Sequence, residues 1–336
     1  MATIAPPQPA ESSAHFCWRV LANVSRSFAV VIRELPGGLN DAVMVSYLLC
    51  RIADSVEDSS LSLARKQEQL RRLPKVLDDE NGGETFVLES VPEIYRELLS
   101  RPGAVFEHYR SFSQPTRAAI HACVAEMCEG MAEWTGRTIT TIKDQDRYCY
   151  YVAGVVGKLL TELFYLHGQV SRATADQLAT HAVEFGLALQ KINILRDVRA
   201  DMQEGRCYWP EKLMEKHGTS RSGLLNPTST QAAIGVMEDL IKDVIPYCAH
   251  ALRYIELLPV TRFKLRSFCA IPLFMATATA RVCRGNPDVV LANTPVKITR
   301  REAKSIVLRS NLLGWCNPYL RKWFRADAEK LTRNKP

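Results

Sequence analysis

Apolar residues recur at helical spacing along most of the chain, and no long stretch alternates polar and apolar residues as a strand would. This pattern predicts an all-α protein. We expect helices over these ranges: Ser13 to Arg33, Leu39 to Ser59, Ser62 to Leu77, Val91 to Ser100, Gln114 to Thr135, Thr141 to His167, Ala173 to Gln203, Pro210 to Lys216, Thr230 to Leu257, Arg262 to Arg284 and Thr299 to Asn311. Turn-forming residues separate them, as in LPGGLN at 35–40 and RPG at 101–103.

The chain has 336 residues, whereas a typical domain has ~100 to 150, but one large helical core could include nearly all of them. No internal repeat or long linker divides the sequence. We therefore expect one helical domain at 13–312, with a flexible N-terminus at 1–12 and a basic, aromatic tail at 313–336.

The net charge of +7 comes from the C-terminal end, because residues 297–336 contain 11 Lys and Arg against 3 Asp and Glu. A nucleic-acid-binding protein usually spreads its basic residues over one face and carries a recognisable motif, which this sequence lacks. We expect no nucleic-acid partner. An anionic membrane surface or a phosphate-bearing ligand suits this charge better.

The tail mixes aromatic and basic residues in a way that suits a membrane–water interface. Its members are Trp315, Tyr319, Trp323 and Phe324 with Arg321, Lys322 and Arg325. Peripheral membrane contact through this tail is one interpretation. Packing of the tail against the core is the other.

Cysteine usage and the N-terminus indicate a cytoplasmic location. The ten cysteines are scattered through apolar stretches without a CxxC pair, as expected of reduced core residues. The N-terminus lacks the basic start and apolar run of a secretory signal. The most apolar segment, 268–280, has 13 residues, and a membrane span needs ~20. We expect no transmembrane segment, and at most peripheral contact with a membrane.

The stretch RIADSVED carries Arg51 and the carboxylates of Asp54, Glu57 and Asp58. On a helix these three acids stand at positions i, i+3 and i+4, so they share one face. They repel one another there, and local helix energetics do not account for the pattern. Two interpretations remain, which are a solvated acidic face and a metal site.

The stretch QKINILRDVRADMQEGR carries a second oxygen-rich stripe, in which Asn193, Asp197 and Asp201 recur every four residues. Apolar residues such as Leu187 and Leu195 surround this stripe and indicate a core helix. A carboxylate on a buried helix must be paired or bound to metal, because an isolated desolvated carboxylate is prohibitively costly.

Two facing oxygen stripes could hold Mg²⁺, or Mn²⁺ in its place. Mg²⁺ typically takes one or two protein carboxylates and completes its shell with phosphate and water. Such a site would bind a diphosphate, and Arg51 and Arg196 could donate to its oxygens. The metal would neutralise the charge that develops on a departing diphosphate.

Five stretches resemble, in the family's order, the signature blocks of the squalene synthases, a branch of the head-to-head prenyl synthase superfamily. They are NVSRSFAVVIREL (23–35), YLLCRIADSVEDS (47–59), RYCYYVAGVVGKLLTELF (147–164), LQKINILRDVRADMQEGRCYWP (189–210) and FCAIPLFMATATA (268–280). Phytoene and dehydrosqualene synthases share the acidic motifs and the YVAG block, whereas LQKINILRD and FCAIP resemble the squalene branch. The resemblance implies a single-domain helical bundle of the class I isoprenoid synthase type with a central apolar cavity.

The resemblance also implies roles for individual residues. The implied metal ligands are Asp54, Glu57, Asp58, Asn193, Asp197 and Asp201. The implied substrate-binding residues are Ser25, Arg26, Tyr47, Arg51, Gln190, Asn193, Arg196, Phe268 and Cys269. Tyr148 would assist proton transfer or stabilise a cation. Ala200 stands where many members have Glu, which leaves the number of ligands in the second motif open.

The implied reaction joins two farnesyl diphosphates through presqualene diphosphate and reduces the product to squalene with NADPH. No GxGxxG fingerprint is present, so the NADPH site would be of another kind, with Lys297, Arg300 and Arg301 contributing. Two alternatives are a dehydrosqualene- or phytoene-type synthase without the reductive step, and a catalytically silent prenyl-diphosphate binding protein.

Several of these residues also have plainer interpretations. Tyr148 could be a buried aromatic residue with a hydrogen-bonded hydroxyl. Phe268 and Cys269 could be core residues and nothing more. Arg26 and the three basic residues of PVKITRRE could be solvated surface charges.

Overall fold

The computed structural model describes residues 11–82, 86 and 95–332, and for residues 26 and 27 it describes the backbone alone. Within this part of the chain every regular element is a helix. The all-α prediction is therefore confirmed. The chain divides into two compact units, Met1–Cys128 and Glu129–Pro336, and the single domain at 13–312 stays a prediction.

The first unit centres on the buried helix α3, which packs against α1, α4 and α6. Its helices are α1 Ser13–Val24, α2 Arg26–Arg33, α3 Leu39–Glu57, α4 Leu63–Val76, α5 Arg96–Ser100 and α6 Pro102–Arg110, and the boundary between the units falls within α7 Gln114–Trp134. The start of the helix predicted at 91–100 lies outside the described residues.

Two predicted boundaries in this unit were wrong, each for a reason of local chemistry. The helix predicted over 13–33 is interrupted at Ser25, whose backbone is extended at φ −153°. The Ser25 hydroxyl accepts a hydrogen bond from the Phe28 amide and caps the start of α2. Pro102, assigned to a break, begins α6 instead, because proline is favoured at the first helical position.

The second unit is built around the long helix α10, which packs against α9, α12 and α13. Its elements are α8 Ile142–Cys149, a π-helical turn at Tyr150–Gly154, α9 Val155–Leu166, α10 Arg172–Gln203, α11 Glu211–Lys216, a 3₁₀ turn at Pro227–Ser229, α12 Thr230–Leu257, α13 Phe263–Cys283, α14 Asp288–Leu291, α15 Arg300–Leu313 and α16 Asn317–Thr332.

Two glycines allow α9 and α10 to approach closely. A Cβ on Gly157 would collide with the carbonyl oxygen of Ala182, and one on Gly186 would collide with that of Ala153. These positions exclude any larger residue unless the backbone moves.

One helical stretch, Ile142–Leu166, is long and apolar enough to cross a membrane. It is the one such stretch in the part of the chain that the structure describes, and it is not the 268–280 segment considered from the sequence. It comprises α8, the π-helical turn and α9, all of which pack against α10. That packing favours a core helix.

Within the tail predicted at 313–336, Asn317–Thr332 form α16, which packs against α12 and α13. Trp323 and Phe324 are buried, and the Trp323 ring stacks on Phe274 with ring centroids 3.7 Å apart. Of the two interpretations of the tail, packing against the core is therefore the one observed for these two residues. Trp315 remains exposed.

Candidate active site

The first acidic motif lies in the last turn of α3. Asp54 and Glu57 are helical, and Asp58 is the C-cap, with its amide donating to the Asp54 carbonyl oxygen at 2.8 Å. Glu57 is buried, Asp54 is partly buried and Asp58 is exposed. Negative charge is unfavourable at a helix C-terminus, and here Lys66 Nζ donates to the Glu57 carbonyl oxygen at 2.7 Å. A cation bound by the three acids would offset their charge further.

The pKa of Asp54 depends on its burial and on the charges beside it. Burial raises the pKa of Asp54 to about 6, while Arg51 opposes the rise and Asp58 adds to it. The Arg51 guanidinium lies 3.4 Å from the Asp54 carboxylate. A divalent cation would stabilise the ionised carboxylate much as Arg51 does.

Arg51 is held above the faces of two tyrosine rings. Its guanidinium carbon lies 5.9 Å from the ring centroid of Tyr47 and 5.2 Å from that of Tyr95. The Nε atom is buried without a hydrogen-bond acceptor among the described residues. An acceptor such as a phosphate oxygen would satisfy this donor. Tyr95 was not found from the sequence, since it lies outside any motif.

Ser25 and Tyr47, also predicted to bind substrate, belong to the same unit. Ser25 caps α2, and Phe28 in the first turn of α2 packs on Tyr47 with ring centroids 5.7 Å apart. The structure thus connects α2 to the Tyr47 face of α3. The side chain of Arg26 lies outside the described residues.

The second acidic motif lies on α10 in the second unit. Asn193, Asp197 and Asp201 all fall within this helix, so the predicted i, i+4 spacing is confirmed. Arg196 donates two hydrogen bonds to the Asp197 carboxylate. In one of them, the Arg196 Nε lies 2.7 Å from the Asp197 Oδ1. Burial lowers the pKa of Arg196, but Asp197 outweighs that effect and raises it overall. Gln190 lies one turn earlier on the same helix.

The donor sets of the two motifs fit Mg²⁺. Both offer the hard oxygen ligands that this ion prefers. In the described residues, no group of three or more His, Cys, Asp or Glu side chains is arranged so that it could hold a metal ion. Mg²⁺ needs only one or two protein carboxylates when phosphate and water complete its shell.

Tyr148 lies near the end of α8 and is buried, with 4% of its surface exposed. Its ring stacks on Tyr208 with centroids 4.6 Å apart and an interplanar angle of 18°. The carbonyl oxygen of Tyr208 accepts a hydrogen bond from Gln145 Nε2 at 2.8 Å. Tyr208 therefore connects Tyr148, the candidate catalytic tyrosine, to Gln145, which lies on the same helix as Tyr148. A π-helical turn follows directly, and such turns are frequent at functional sites.

A buried lysine on α10 extends this connection. Lys191 Nζ lies 3.2 Å from Gln145 Oε1 and 2.5 Å from a carboxylate oxygen of both Asp146 and Asp243. No role was predicted for Lys191 from the sequence. Two signals were available, which are its place in LQKINILRD and its position among the apolar residues of a predicted core helix.

Phe268 and Cys269 are buried on α13, and Phe268 packs edge to face against Phe164 on α9. Burial raises the pKa of the Cys269 thiol. Phe268 and Cys269 therefore lie in apolar surroundings, and the Cys269 thiol stays protonated at neutral pH.

The three basic residues proposed for NADPH lie around the start of α15. Lys297 precedes the helix and is exposed, Arg300 is its first residue, and Arg301 lines a cavity of about 340 Å³. Arg281, Arg309 and Lys330 also line this cavity, together with the acidic residues Glu302 and Asp327, so basic side chains outnumber acidic ones by four to two. The structure brings one of the three predicted residues to this cavity.

A family model described as squalene/phytoene synthase matches residues 21–302 of the chain, which is most of its length. The chain belongs to the squalene/phytoene synthase family. Similar curated proteins include the squalene synthases of Schizosaccharomyces pombe and Cyberlindnera jadinii. The first is 37% identical, covering 91% of this chain and 67% of its own length. The second is 33% identical, covering 98% of this chain and 74% of its own length.

Solved structures agree with this placement in the squalene/phytoene synthase family. A chain titled TcSQS, in complex with the ligand BPH1237, matches with a TM-score of 0.87 at 31% identity, covering 96% of this chain and 92% of its own. A dehydrosqualene synthase matches with a TM-score of 0.65 at 22% identity and shares the fold. By its relatives, this family member is a transferase of the squalene synthase branch.

Proposed function

We propose that this protein joins two molecules of farnesyl diphosphate head to head and reduces the resulting presqualene diphosphate to squalene with NADPH. One observation carries the proposal. Both acidic motifs occupy helices, each beside a partly buried arginine, in a chain that aligns along most of its length with squalene synthases.

The acidic motifs would hold Mg²⁺, or Mn²⁺ in its place, with the following oxygen donors: Asp54, Glu57 and Asp58 in the first motif and Asn193, Asp197 and Asp201 in the second. When bound, the metal neutralises charge on a departing diphosphate. The unsatisfied Nε of Arg51 can donate to a phosphate oxygen. Arg196 can donate to a phosphate in place of the Asp197 carboxylate, because the planar guanidinium group matches the geometry of both anions. Gln190 and Ser25 would add neutral donors to the substrate.

Tyr148 would handle a proton or stabilise a cation in the first half of the reaction. Its stacking on Tyr208 fixes the plane of the ring, so the hydroxyl group keeps one direction. Tyr47 would contribute through its ring, which already faces the cation of Arg51.

Carbocations form when the diphosphate departs, and a nucleophilic side chain in the substrate pocket would react with them. Phe268 offers an aromatic face, which stabilises positive charge. Cys269 is a weak nucleophile because burial raises its pKa and keeps it protonated. Exclusion of water from such a pocket prevents capture of the cations as alcohols.

NADPH would supply the hydride of the second step when bound. Lys297, Arg300 and Arg301 are the candidates for its phosphate groups, and the cavity beside Arg301 supports the choice of Arg301. We also propose a cytoplasmic location with peripheral contact to a membrane, because squalene is insoluble in water.

Incubation of the purified protein with farnesyl diphosphate and Mg²⁺, with and without NADPH, tests this function by mass spectrometry of the products. Squalene that depends on NADPH is the expected result. Dehydrosqualene or presqualene diphosphate as the end product in both reactions would place the protein in a sister branch. Unchanged substrate would favour a silent binding protein.

A further inference from the structure

Exposed apolar side chains are concentrated at one end of the second unit. Eight large apolar side chains are prominently exposed in the described part of the chain, and five of them lie in or beside two turns of this unit or on the adjoining helix α15. These five are Val260, Phe263, Leu308, Leu312 and Trp315, each between 53% and 62% exposed. We call them the apolar end. Single exposed apolar residues are ordinary, but a group of them marks an interaction site.

The turn between α12 and α13 and the turn between α15 and α16 are held together by one buried arginine. Arg266 donates to the carbonyl oxygens of Ile255 and Leu258 at 2.7 and 2.6 Å, and to that of Gly314 at 2.8 Å. Phe263 is exposed and begins α13 three residues before the buried Arg266. Trp315 directly follows Gly314. The hydrogen bonds of Arg266 therefore hold the two turns that lead to Phe263 and Trp315 next to each other.

The remaining apolar residues continue from Trp315 along α15. The Trp315 indole donates to the Leu312 carbonyl oxygen at 3.0 Å, which places the ring over the end of α15. Leu308 lies one turn earlier on the exposed face. Because the indole N–H is already satisfied, the ring could enter an apolar medium without leaving a donor unpaired.

The charge around the apolar end is positive. Residues 258–267 contain three Lys and Arg, of which Arg266 is buried, and residues 303–326 contain five. Neither segment contains Asp or Glu, although Glu302 and Asp327 border the second one. Arg262 and Lys304 are exposed close to Phe263 and Leu308 in the sequence. The nearby acid Glu256 is almost fully buried and paired with Arg253 and Arg321.

We propose that the apolar end docks on the surface of an anionic lipid bilayer, with its aromatic and leucine side chains entering the interface. Apolar residues ringed by Lys and Arg suit this environment, since anionic headgroups attract the cations while the apolar side chains leave water. Docking of a second copy on this end is less favourable, because two positively charged rims would face each other. The surface differs from the sequence-based expectation, in which Trp323 and Phe324 contact the membrane, because both are buried.

Docking at the apolar end would let squalene pass directly from the protein into lipid. This benefit rests on the proposed function. Binding to lipid is nevertheless measurable without turnover. The failure of either proposal can therefore be recognised separately.

Vesicle flotation tests the proposal with the full chain and phosphatidylcholine vesicles, with and without phosphatidylserine. We expect the protein to float with the anionic vesicles at low salt and to dissociate at high salt, where charges are screened. A triple variant, Phe263→Ser with Leu312→Ser and Trp315→Ser, should bind about tenfold or more weakly. Leu63→Ser, an exposed apolar residue of the first unit, is the matched control and should bind as the parent does.

Two further measurements decide the outcome. Squalene formation in detergent should be the same in the triple variant and the parent, which shows that the fold is intact. Light scattering should give the same mass for both proteins. Absence of flotation, equal flotation of the triple variant, or a dimer that the triple variant loses would each overturn the proposal.

Discussion

The Lys191 ammonium lies 2.5 Å from the nearer carboxylate oxygen of Asp243, although the two residues are 52 positions apart. Only 3% of the lysine side chain is exposed. Burial lowers the pKa of Lys191, but Asp146 and Asp243 outweigh this effect and raise it above its ordinary value. The lysine therefore stays charged and connects α8, α10 and α12.

Replacement of Lys191 by Met should reduce the free energy of unfolding by about 3–5 kcal/mol, because it leaves two carboxylates without their buried cation. Chemical unfolding followed by tryptophan fluorescence measures the loss. Lys212→Met, on the exposed surface of α11, is the control and should stay within about 0.5 kcal/mol of the parent. A Lys191→Met variant as stable as the control would contradict the assignment of a buried charge pair.

Asp54→Asn and Asp197→Asn should each lower squalene formation by about 100-fold or more, because each removes a charged ligand of the metal that would neutralise the departing diphosphate. Removal of divalent metal with a chelator should abolish the reaction. Asp176→Asn, at an exposed position on α10, should leave it unchanged. Binding of Mn²⁺ in the presence of farnesyl diphosphate, followed by electron paramagnetic resonance, gives a second readout. Parental Mn²⁺ affinity in both motif variants would refute their role as ligands.

The helical faces of both acidic motifs could be predicted from the sequence, because i, i+3 and i+4 spacing depends on local geometry alone. The helix breaks were harder. No glycine or proline marks Ser25 in the sequence, yet its backbone is extended and its hydroxyl caps the start of a new helix. Pro102 looked like part of a turn, although the first position of a helix accepts proline equally well.

The polar connections of the site could not be predicted, because they depend on residues far apart in the chain. Lys191 is charged and buried only because Asp146 and Asp243 reach it from other helices. Tyr208 lies in the stretch 189–210, where no role was predicted for it, yet its ring lies against Tyr148. Tertiary packing decides such pairs, and periodicity carries no information about them.

Gly186→Ala should reduce the free energy of unfolding by about 1–3 kcal/mol, because the new methyl group overlaps a backbone carbonyl that cannot rotate away. Gly37→Ala is the matched control, since no atom lies within 4 Å of the corresponding Cβ position. Thermal unfolding followed by circular dichroism measures both variants. An equal melting temperature for Gly186→Ala and the parent would show that α10 can move away from the π-helical turn.

Asp239 should make stability depend on pH in the acid range. Burial raises its pKa, but hydrogen bonds and charge from Lys216, His217 and Lys242 outweigh this effect and lower it from 3.8 to about 2. A carboxylate whose pKa is lower in the folded state stabilises the fold above its unfolded pKa. The stabilisation is then lost as the pH falls toward the folded pKa.

The corresponding contribution is about 2 kcal/mol at neutral pH and should disappear between about pH 4 and pH 2. Asp239→Asn removes the titrating group while preserving its size. Urea unfolding of both proteins from neutral pH to the acid range should therefore show a stability difference that is constant at first and narrows below about pH 4. A difference that stays constant into the acid range would mean that Asp239 titrates at the same pH in the folded and unfolded states, and that its three cationic neighbours do not stabilise its charge.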